Sequence, residues 1–283
     1  MPSSPVANTF LIGAQKAGTT YLAAMLDRHA SVCVSHPKEP HFLSGDHVDD
    51  MDAYARCFCD PDAPIRVDAS TTYSFLRPAR DLDREGAPGL LAPVPRRIAE
   101  IAPEAKLIYI LRDPVARAKS AYRHNRRRIG APEGPVSLAG ALREDPMLVL
   151  AGRYADQIDR YLEVFAPDQF LFLDFAELTR DPATALDKTC TFLGLSSEGM
   201  STEIDEGDRN LAHELNPAGR RFHKMAGLRS ALRRIVPSDL RRSLKARFLV
   251  QPAPEVTFTD VEEAESFFVD DRARLPGLTG LSI

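Results

Sequence analysis

The stretch Thr9–Thr20, TFLIGAQKAGTT, decides the fold. Its opening residues are a short apolar run, the composition of a strand covered on both faces. Gly13 and Gly18 follow, and then Thr19 and Thr20. Beyond them Leu22, Met25, Leu26 and His29 recur at i, i+3, i+4 and i+7, the period of a helix with one buried side, so Thr19 or Thr20 stands at the helix start. Strand, glycine-rich turn and helix in this order form a cradle for an anion. The turn exposes backbone N–H groups and the helix contributes its positive end. The spacing is close to the nucleotide-binding pattern G-x-x-x-x-G-K-[ST]. Thr19 occupies the place of the lysine, and Lys16 lies three positions earlier, inside the loop.

The same alternation continues outward. Ser31–Ser35 and Ile65–Ala69 read as strands, and Arg96–Ile101 as a short helix before Pro103. Lys106–Leu111 (KLIYIL) is the clearest buried strand, and a basic helix follows over Pro114–Arg128, with proline in its first turn. Gly130–Pro135 interrupts the pattern. Arg153–Phe165 has helical period, with Tyr154, Ile158, Tyr161, Leu162 and Phe165 on one side; Phe170–Phe175 (FLFLDF) reads as a strand; Pro182–Leu193 reads as a helix ended by Gly194. Uniformly apolar strands separated by helices predict an α/β fold, a P-loop-like three-layer α/β/α sandwich around a mostly parallel sheet. Residues 210–250 are rich in Arg and Lys and residues 255–271 in Asp and Glu. These predict helices and loops resting on the main body: a single domain over residues 1–283, with its core at about 8–225 and a C-terminal extension at 226–283.

Composition narrows the class. In 283 residues, 36 Lys and Arg stand against 40 Asp and Glu, a net charge of −4, which does not suggest a nucleic-acid binder. An apolar fraction of 44% excludes disorder as the dominant state. No apolar run approaches the roughly 20 residues that span a bilayer. The N-terminus has no basic segment ahead of its short apolar stretch, so a cytoplasmic location is expected. Cys33, Cys57, Cys59 and Cys190 are few and scattered, and no second Cys or His pair completes a metal site with Cys57 and Cys59. Free thiols and no metal are expected.

Two further segments carry chemistry. Strand KLIYIL runs into Arg112-Asp113-Pro114, followed by Arg117, Ser120 and Tyr122. An arginine at the strand end and a serine about two turns into the next helix can converge on one phosphate, the first with a forked donor pair and the second with a hydroxyl. The basic residues Arg123, Arg126, Arg127 and Arg128 read as a solvated helix face. Pro37-Lys38-Glu39-Pro40-His41-Phe42 follows the second strand. Its carboxylate is suited to accept a proton, unless it serves only to pair with Lys38 or a nearby arginine. His41 is the rival base. His36 and His124 read as surface or packing residues.

Taken together, these elements resemble sulfotransferases that use 3′-phosphoadenosine 5′-phosphosulfate (PAPS), in the subgroup of the heparan sulfate sulfotransferases and their bacterial relatives. The resemblance covers roughly residues 8–225. It implies that Gln15, Lys16, Ala17, Gly18, Thr19 and Thr20 hold the donor's 5′-phosphosulfate, with Lys16 stabilising the bridging oxygen of the leaving phosphate. It implies Arg112 and Ser120 as 3′-phosphate ligands. Within Asn216–Lys224, Arg220 or Arg221 is a candidate third ligand, with solvated charge as the alternative. The segment at 37–42 resembles K-E-x-H-F-F, where the glutamate is the catalytic base, so Glu39 is the candidate base. Val67–Tyr73 departs from the pattern: Ala69 stands where the glycosaminoglycan enzymes carry a lysine that helps with the sulfuryl group and the acidic sugar. That argues against heparan sulfate itself as acceptor. Phe42, Asp68, Ser70 and Tyr73 are expected to line the acceptor pocket, and Pro78–Pro95 to form a lid. The implied reaction moves a sulfuryl group from PAPS to a hydroxyl or amine of a small molecule or saccharide and leaves adenosine 3′,5′-bisphosphate (PAP), without a metal. An ATP-dependent small-molecule or nucleoside kinase with a degenerate loop is the alternative. It would need a lysine after Gly18 and an acid such as Asp113 to hold magnesium. A nucleotide-binding module without catalysis would have no need of Glu39.

Overall fold

The computed structural model describes residues 6–45, 50–75, 94–126, 134–203, 213–215, 250–252 and 255–283. In chain order the first half comprises β1 (Thr9–Gly13), α1 (Thr19–Leu26), β2 (Val32–Val34), α2 (Met51–Ala55), β3 (Ile65–Asp68), α3 (Val94–Ile101), β4 (Lys106–Leu111) and α4 (Pro114–Arg126). There follow β5 (Val136–Ser137), α5 (Leu138–Glu144), α6 (Pro146–Leu150), α7 (Tyr154–Leu162), β6 (Phe170–Asp174), α8 (Phe175–Arg180) and α9 (Pro182–Leu193). Last come β7 (His213–Leu215), β8 (Val250–Pro252), β9 (Phe258–Thr259), α10 (Val261–Glu265) and α11 (Val269–Thr279).

Five strands form one sheet in the order β2-β3-β1-β4-β6, with every neighbouring pair parallel. The uniformly apolar strands explain why: a parallel sheet is covered by helices on both faces and cannot alternate polar with apolar. All five residues of β1 are buried, as are Leu107 to Leu111 of β4. The α/β sandwich expected from the sequence is the fold. The chain leaves β1 for β2 and β3 on one side and then crosses to β4 on the other. β1 and β4 therefore flank a switch point, and the crevice beyond their carboxyl ends is where open α/β sheets bind ligands.

Element boundaries shift slightly from the sequence expectation. Helix α1 stops at Leu26, and the His29 ring instead accepts a hydrogen bond from the Ser31 amide at 3.0 Å. Helix α9 ends, as expected, at Gly194, whose left-handed backbone, φ 77°, favours glycine. The described C-terminal residues join a second apolar cluster, in which Phe268 and Ala264 meet Val115 and Ala118 of α4 and Leu138 and Leu142 of α5. β9 pairs with β5. All four cysteines are free thiols; Cys33 and Cys190 are buried and Cys59 is exposed. Among the described residues no helix is long and apolar enough to cross a membrane.

Candidate active site

The loop after β1 is shaped by two glycines. At Gly13 a Cβ would collide with the Ser74 hydroxyl and lie 2.9 Å from the Tyr109 ring. Only a hydrogen at that position lets β1 run this close to its neighbours. The Ala14 amide donates to the Ile110 carbonyl at 2.8 Å and stitches the loop to β4. Gly18 caps α1 with φ 85°, and a Cβ there would sit 3.0 Å from Leu178. No side-chain cap bond closes the start of α1, so beyond the Tyr21 amide, which donates to the Gly18 carbonyl, its positive end is left for an anion.

Arg112 leaves the end of β4 and turns back to that loop. Its Nη1 donates to the Lys16 carbonyl at 2.7 Å, and its guanidinium lies 4.4 Å from the Phe175 ring centroid. The Tyr154 hydroxyl donates to the Arg112 carbonyl at 2.9 Å. Burial lowers the Arg112 pKa from its ordinary value, though an arginine stays charged at neutral pH. Ser120 stands two turns along α4. Arg117, between them in sequence, is wholly buried and donates to the Leu148 carbonyl, so it belongs to the helix packing rather than to the site.

One cavity of about 570 Å³ gathers these groups. Gln15, Lys16, Gly18, Thr19 and Thr20 line it from the β1 loop, Arg112 and Ser120 from the β4 side, and Glu39 from the loop after β2. Ala17, expected with them, is buried beneath the loop. Sequence reasoning missed Tyr21, Thr71, His124, Phe175 and Thr179, which also line the cavity. His124 was detectable: it lies four residues beyond Ser120, one turn along the same helix face. Arg220 and Arg221 lie outside the described residues, as does most of the segment 78–95.

Glu39 is paired with Lys38 and has His41 nearby. Lys38 Nζ lies 2.7 Å from its Oε1 and His41 Nε2 lies 3.6 Å from its Oε2. His41 Nδ1 shares a hydrogen bond with Thr72 Oγ1 at 2.9 Å. The pairing of Glu39 with Lys38 and its place on the cavity wall thus hold together. Backbone strain marks the same residues. Of the four described non-glycine residues with positive φ, three are Lys16 (70°), Glu39 (62°) and His41 (55°). Left-handed backbone costs a side-chain-bearing residue roughly 1–2 kcal/mol, and such cost persists where surrounding contacts over-determine the conformation, often at functional sites.

The acceptor-side expectation for Asp68, Ser70 and Tyr73 needs correcting. All three are buried, and none lines the cavity. The Asp68 carboxylate is a hub: Tyr54 and Tyr73 donate to Oδ2 at 2.7 and 2.6 Å, and Ser70 donates to Oδ1 at 2.6 Å. Those partners then hold the Glu39 loop. Ser70 Oγ accepts from the His41 amide at 3.1 Å, and Tyr73 Oη accepts from the Leu43 amide at 3.1 Å. Desolvation raises the Asp68 pKa, against the pull of the three hydrogen bonds that its oxygens accept. Phe42, also expected on the acceptor side, stacks on Tyr54 with ring centroids 4.4 Å apart. Thr71 is the member of this segment that reaches the cavity.

Residues 7–213 match the family model described as a sulfotransferase domain. The bifunctional heparan sulfate N-deacetylase/N-sulfotransferase 3 of Mus musculus is 31% identical over 223 residues, 70% of this chain and 24% of that protein. Its Homo sapiens counterpart is 31% identical over 206 residues, 65% of this chain and 22% of that protein. The chain thus spans about a quarter of the length of these curated relatives. A sulfotransferase from Alicyclobacillus acidocaldarius superposes with a TM-score of 0.64 at 25% identity, covering 98% of this chain and 97% of that one. The kinase alternative finds no support among these relatives, and Asp113, the acid it would need, is engaged by the Ala116 amide and by Arg272. On the match over 7–213 and the fold shared with a solved relative, the chain belongs to the sulfotransferase family.

Proposed function

We propose that this chain takes PAPS as donor and sulfates a hydroxyl or amine of a saccharide or small molecule, with Glu39 as base. The observation that carries this reading is the shared cavity, onto which Lys16, Thr19, Thr20, Arg112, Ser120 and Glu39 all open. The residues suit such a donor. The uncapped start of α1 supplies N–H donors and a positive end for the 5′-phosphate. Arg112 and Ser120 supply a fixed cation and a hydroxyl for the 3′-phosphate. When bound, PAPS supplies an activated sulfuryl group and PAP as leaving group.

The chain's own residues divide the remaining work. Glu39 accepts the proton that the acceptor loses as its oxygen or nitrogen bonds to sulfur. Lys38 holds one oxygen of the carboxylate, which leaves proton transfer less reorganisation to wait for. Lys16 places a positive charge where the leaving phosphate gains negative charge. Acceptor identity follows from fewer observations. The curated relatives carry heparan sulfate in their names, while Ala69 removes a cation expected for that polyanion, so a less acidic saccharide or a small metabolite is the acceptor class we favour.

Glu39→Gln keeps size and hydrogen bonding but removes the base. Turnover with labelled PAPS and a panel of acceptors should fall about 10²–10⁴-fold, while calorimetric affinity for PAP stays within about twofold. A Glu39→Gln enzyme with normal turnover beside an inactive His41→Ala enzyme would reverse the assignment.

A further inference from the structure

The C-terminal helix α11 lies beyond residues 7–213 of the family match, yet it contacts the residue next to Arg112. Two adjacent residues make the connection. Arg272 Nη2 donates to Asp113 Oδ2 at 2.6 Å, and Arg272 Nη1 pairs with Glu265 Oε2 at 3.0 Å. Asp113 directly follows Arg112, and its other oxygen accepts from the Ala116 amide at 2.6 Å, so it also fixes the first turn of α4. Asp271 works on the opposite side. It is buried, and its two oxygens accept from the Ala155 and Asp156 amides, each at 3.1 Å. Arg153, in the cap position of α7, makes no side-chain cap bond. Asp271 therefore caps α7 from another helix. Helix α7 begins with Tyr154, whose hydroxyl holds the Arg112 carbonyl.

Two routes thus lead from neighbouring residues of α11 to Arg112, one through the Tyr154 hydroxyl on its carbonyl and one through its chain neighbour Asp113. Upstream of the helix, the Val256 carbonyl accepts from Arg123 at 3.2 Å, and the Phe258 ring meets Tyr122 edge-on at 5.6 Å. Both partners are on α4, beside Ser120. We infer that the C-terminal segment 256–279 is a positioning element for the donor's 3′-phosphate, with Arg272 setting Arg112 through Asp113. This rests on the assignment of Arg112 and Ser120 to that phosphate. Arg272 is a positioning residue: it acts through its neighbours and does not line the cavity.

The test is a ratio. The full chain is titrated calorimetrically with PAP and with adenosine 5′-monophosphate, which lacks the 3′-phosphate. The ratio of the two affinities reads discrimination for that group alone. Arg272→Gln should shrink the ratio about two- to thirtyfold, the range expected for coupling through a packed network, with affinity for the monophosphate nearly unchanged. Arg272→Lys should recover part of the loss. Asp113→Asn keeps an oxygen for the Ala116 amide and removes the charge facing Arg272. It should shrink the ratio similarly, and the double variant should lose no more than either single one. Parallel loss of affinity for both nucleotides, with the ratio intact, would reduce the segment to general stability and overturn the inference. An unchanged ratio in Arg272→Gln and Asp113→Asn beside a collapsed ratio in Arg112→Ala would overturn it too. A ratio that survives Arg112→Ala would instead remove the 3′-phosphate assignment on which it stands.

Discussion

The two walls of the cavity are built differently. The donor wall grows out of strand ends: the loop after β1 and Arg112 after β4 are placed by the sheet, with backbone bonds such as Ala14 to Ile110 fixing the loop. The wall bearing Glu39 is placed by side chains. Its loop, with Glu39 and His41 in strained conformations, hangs on Ser70 and Tyr73, and these hang on the buried carboxylate of Asp68. A loop set by backbone topology keeps its shape through side-chain change, and the remote contact that the donor wall does feel, Arg272 on Asp113, bears on Arg112 alone. A wall set by a polar hub fails when the hub is touched, however far it stands from the reaction.

The sharpest way to break this contrast is Lys16→Ala on the donor wall. Loss of a fixed charge at the leaving group costs about 3–4 kcal/mol in the transition state, or about 10²–10³ in turnover. The loop backbone should survive, since its shape comes from Gly13, Gly18 and the strand ends. PAP affinity should fall far less than turnover, because the spent nucleotide lacks the transferring group. If PAP affinity and turnover fall equally, Lys16 is a binding residue and the donor wall also depends on its side chain.

Asp68→Ala makes the matching cut on the other wall. It leaves the hydroxyls of Tyr54, Tyr73 and Ser70 buried without their acceptor, and each unsatisfied group costs about 1–3 kcal/mol. A loss of at least roughly 3 kcal/mol in urea unfolding is expected, together with a large fall in turnover and little change in PAP affinity of the protein that remains folded. Equal damage to PAP binding would show that the walls are not independent.

What the sequence made legible follows the same division. The sheet and the donor wall are readable because their signals are local: apolar runs give the strands, glycine spacing gives the loop, and Arg112 sits where a strand must end. The Glu39 loop was located by resemblance, but its support was not. Asp68, Ser70 and Tyr73 lie only five residues apart and are polar, so they looked like pocket residues. Their burial depends on Tyr54, fourteen residues away from Asp68, and on how β3 is covered. Polar identity alone does not distinguish a group facing a ligand from one facing its own protein. Thr179 and Phe175 were missed because α8 reaches the cavity through sheet order, with β6 beside β4, which no local pattern encodes. Likewise, the acidic stretch near the C-terminus gave no sign that Asp271 would cap a helix 115 residues away.

The smallest expected effect tests whether the hub carries charge. Burial lifts the Asp68 pKa in the folded protein above its unfolded value. In the window just above the ordinary carboxylate pKa, the folded state therefore keeps a proton that the unfolded chain has released. Stability contributed by this group is full below the unfolded pKa and is lost as pH rises through the folded one. Asp68→Asn cannot titrate, and its carboxamide oxygen still accepts from Tyr54 and Tyr73. Urea midpoints of both proteins from pH 4 to pH 7 should diverge, with the parent losing stability relative to Asp68→Asn as pH rises. The divergence cannot exceed about 1.4 kcal/mol per pH unit, the limit for one proton. Parallel curves would mean that the three accepted hydrogen bonds hold the carboxylate at its ordinary pKa. The Glu39 wall would then rest on an anion whose burial the hydroxyls fully offset, and hydrogen bonding rather than desolvation would set the strength of the hub.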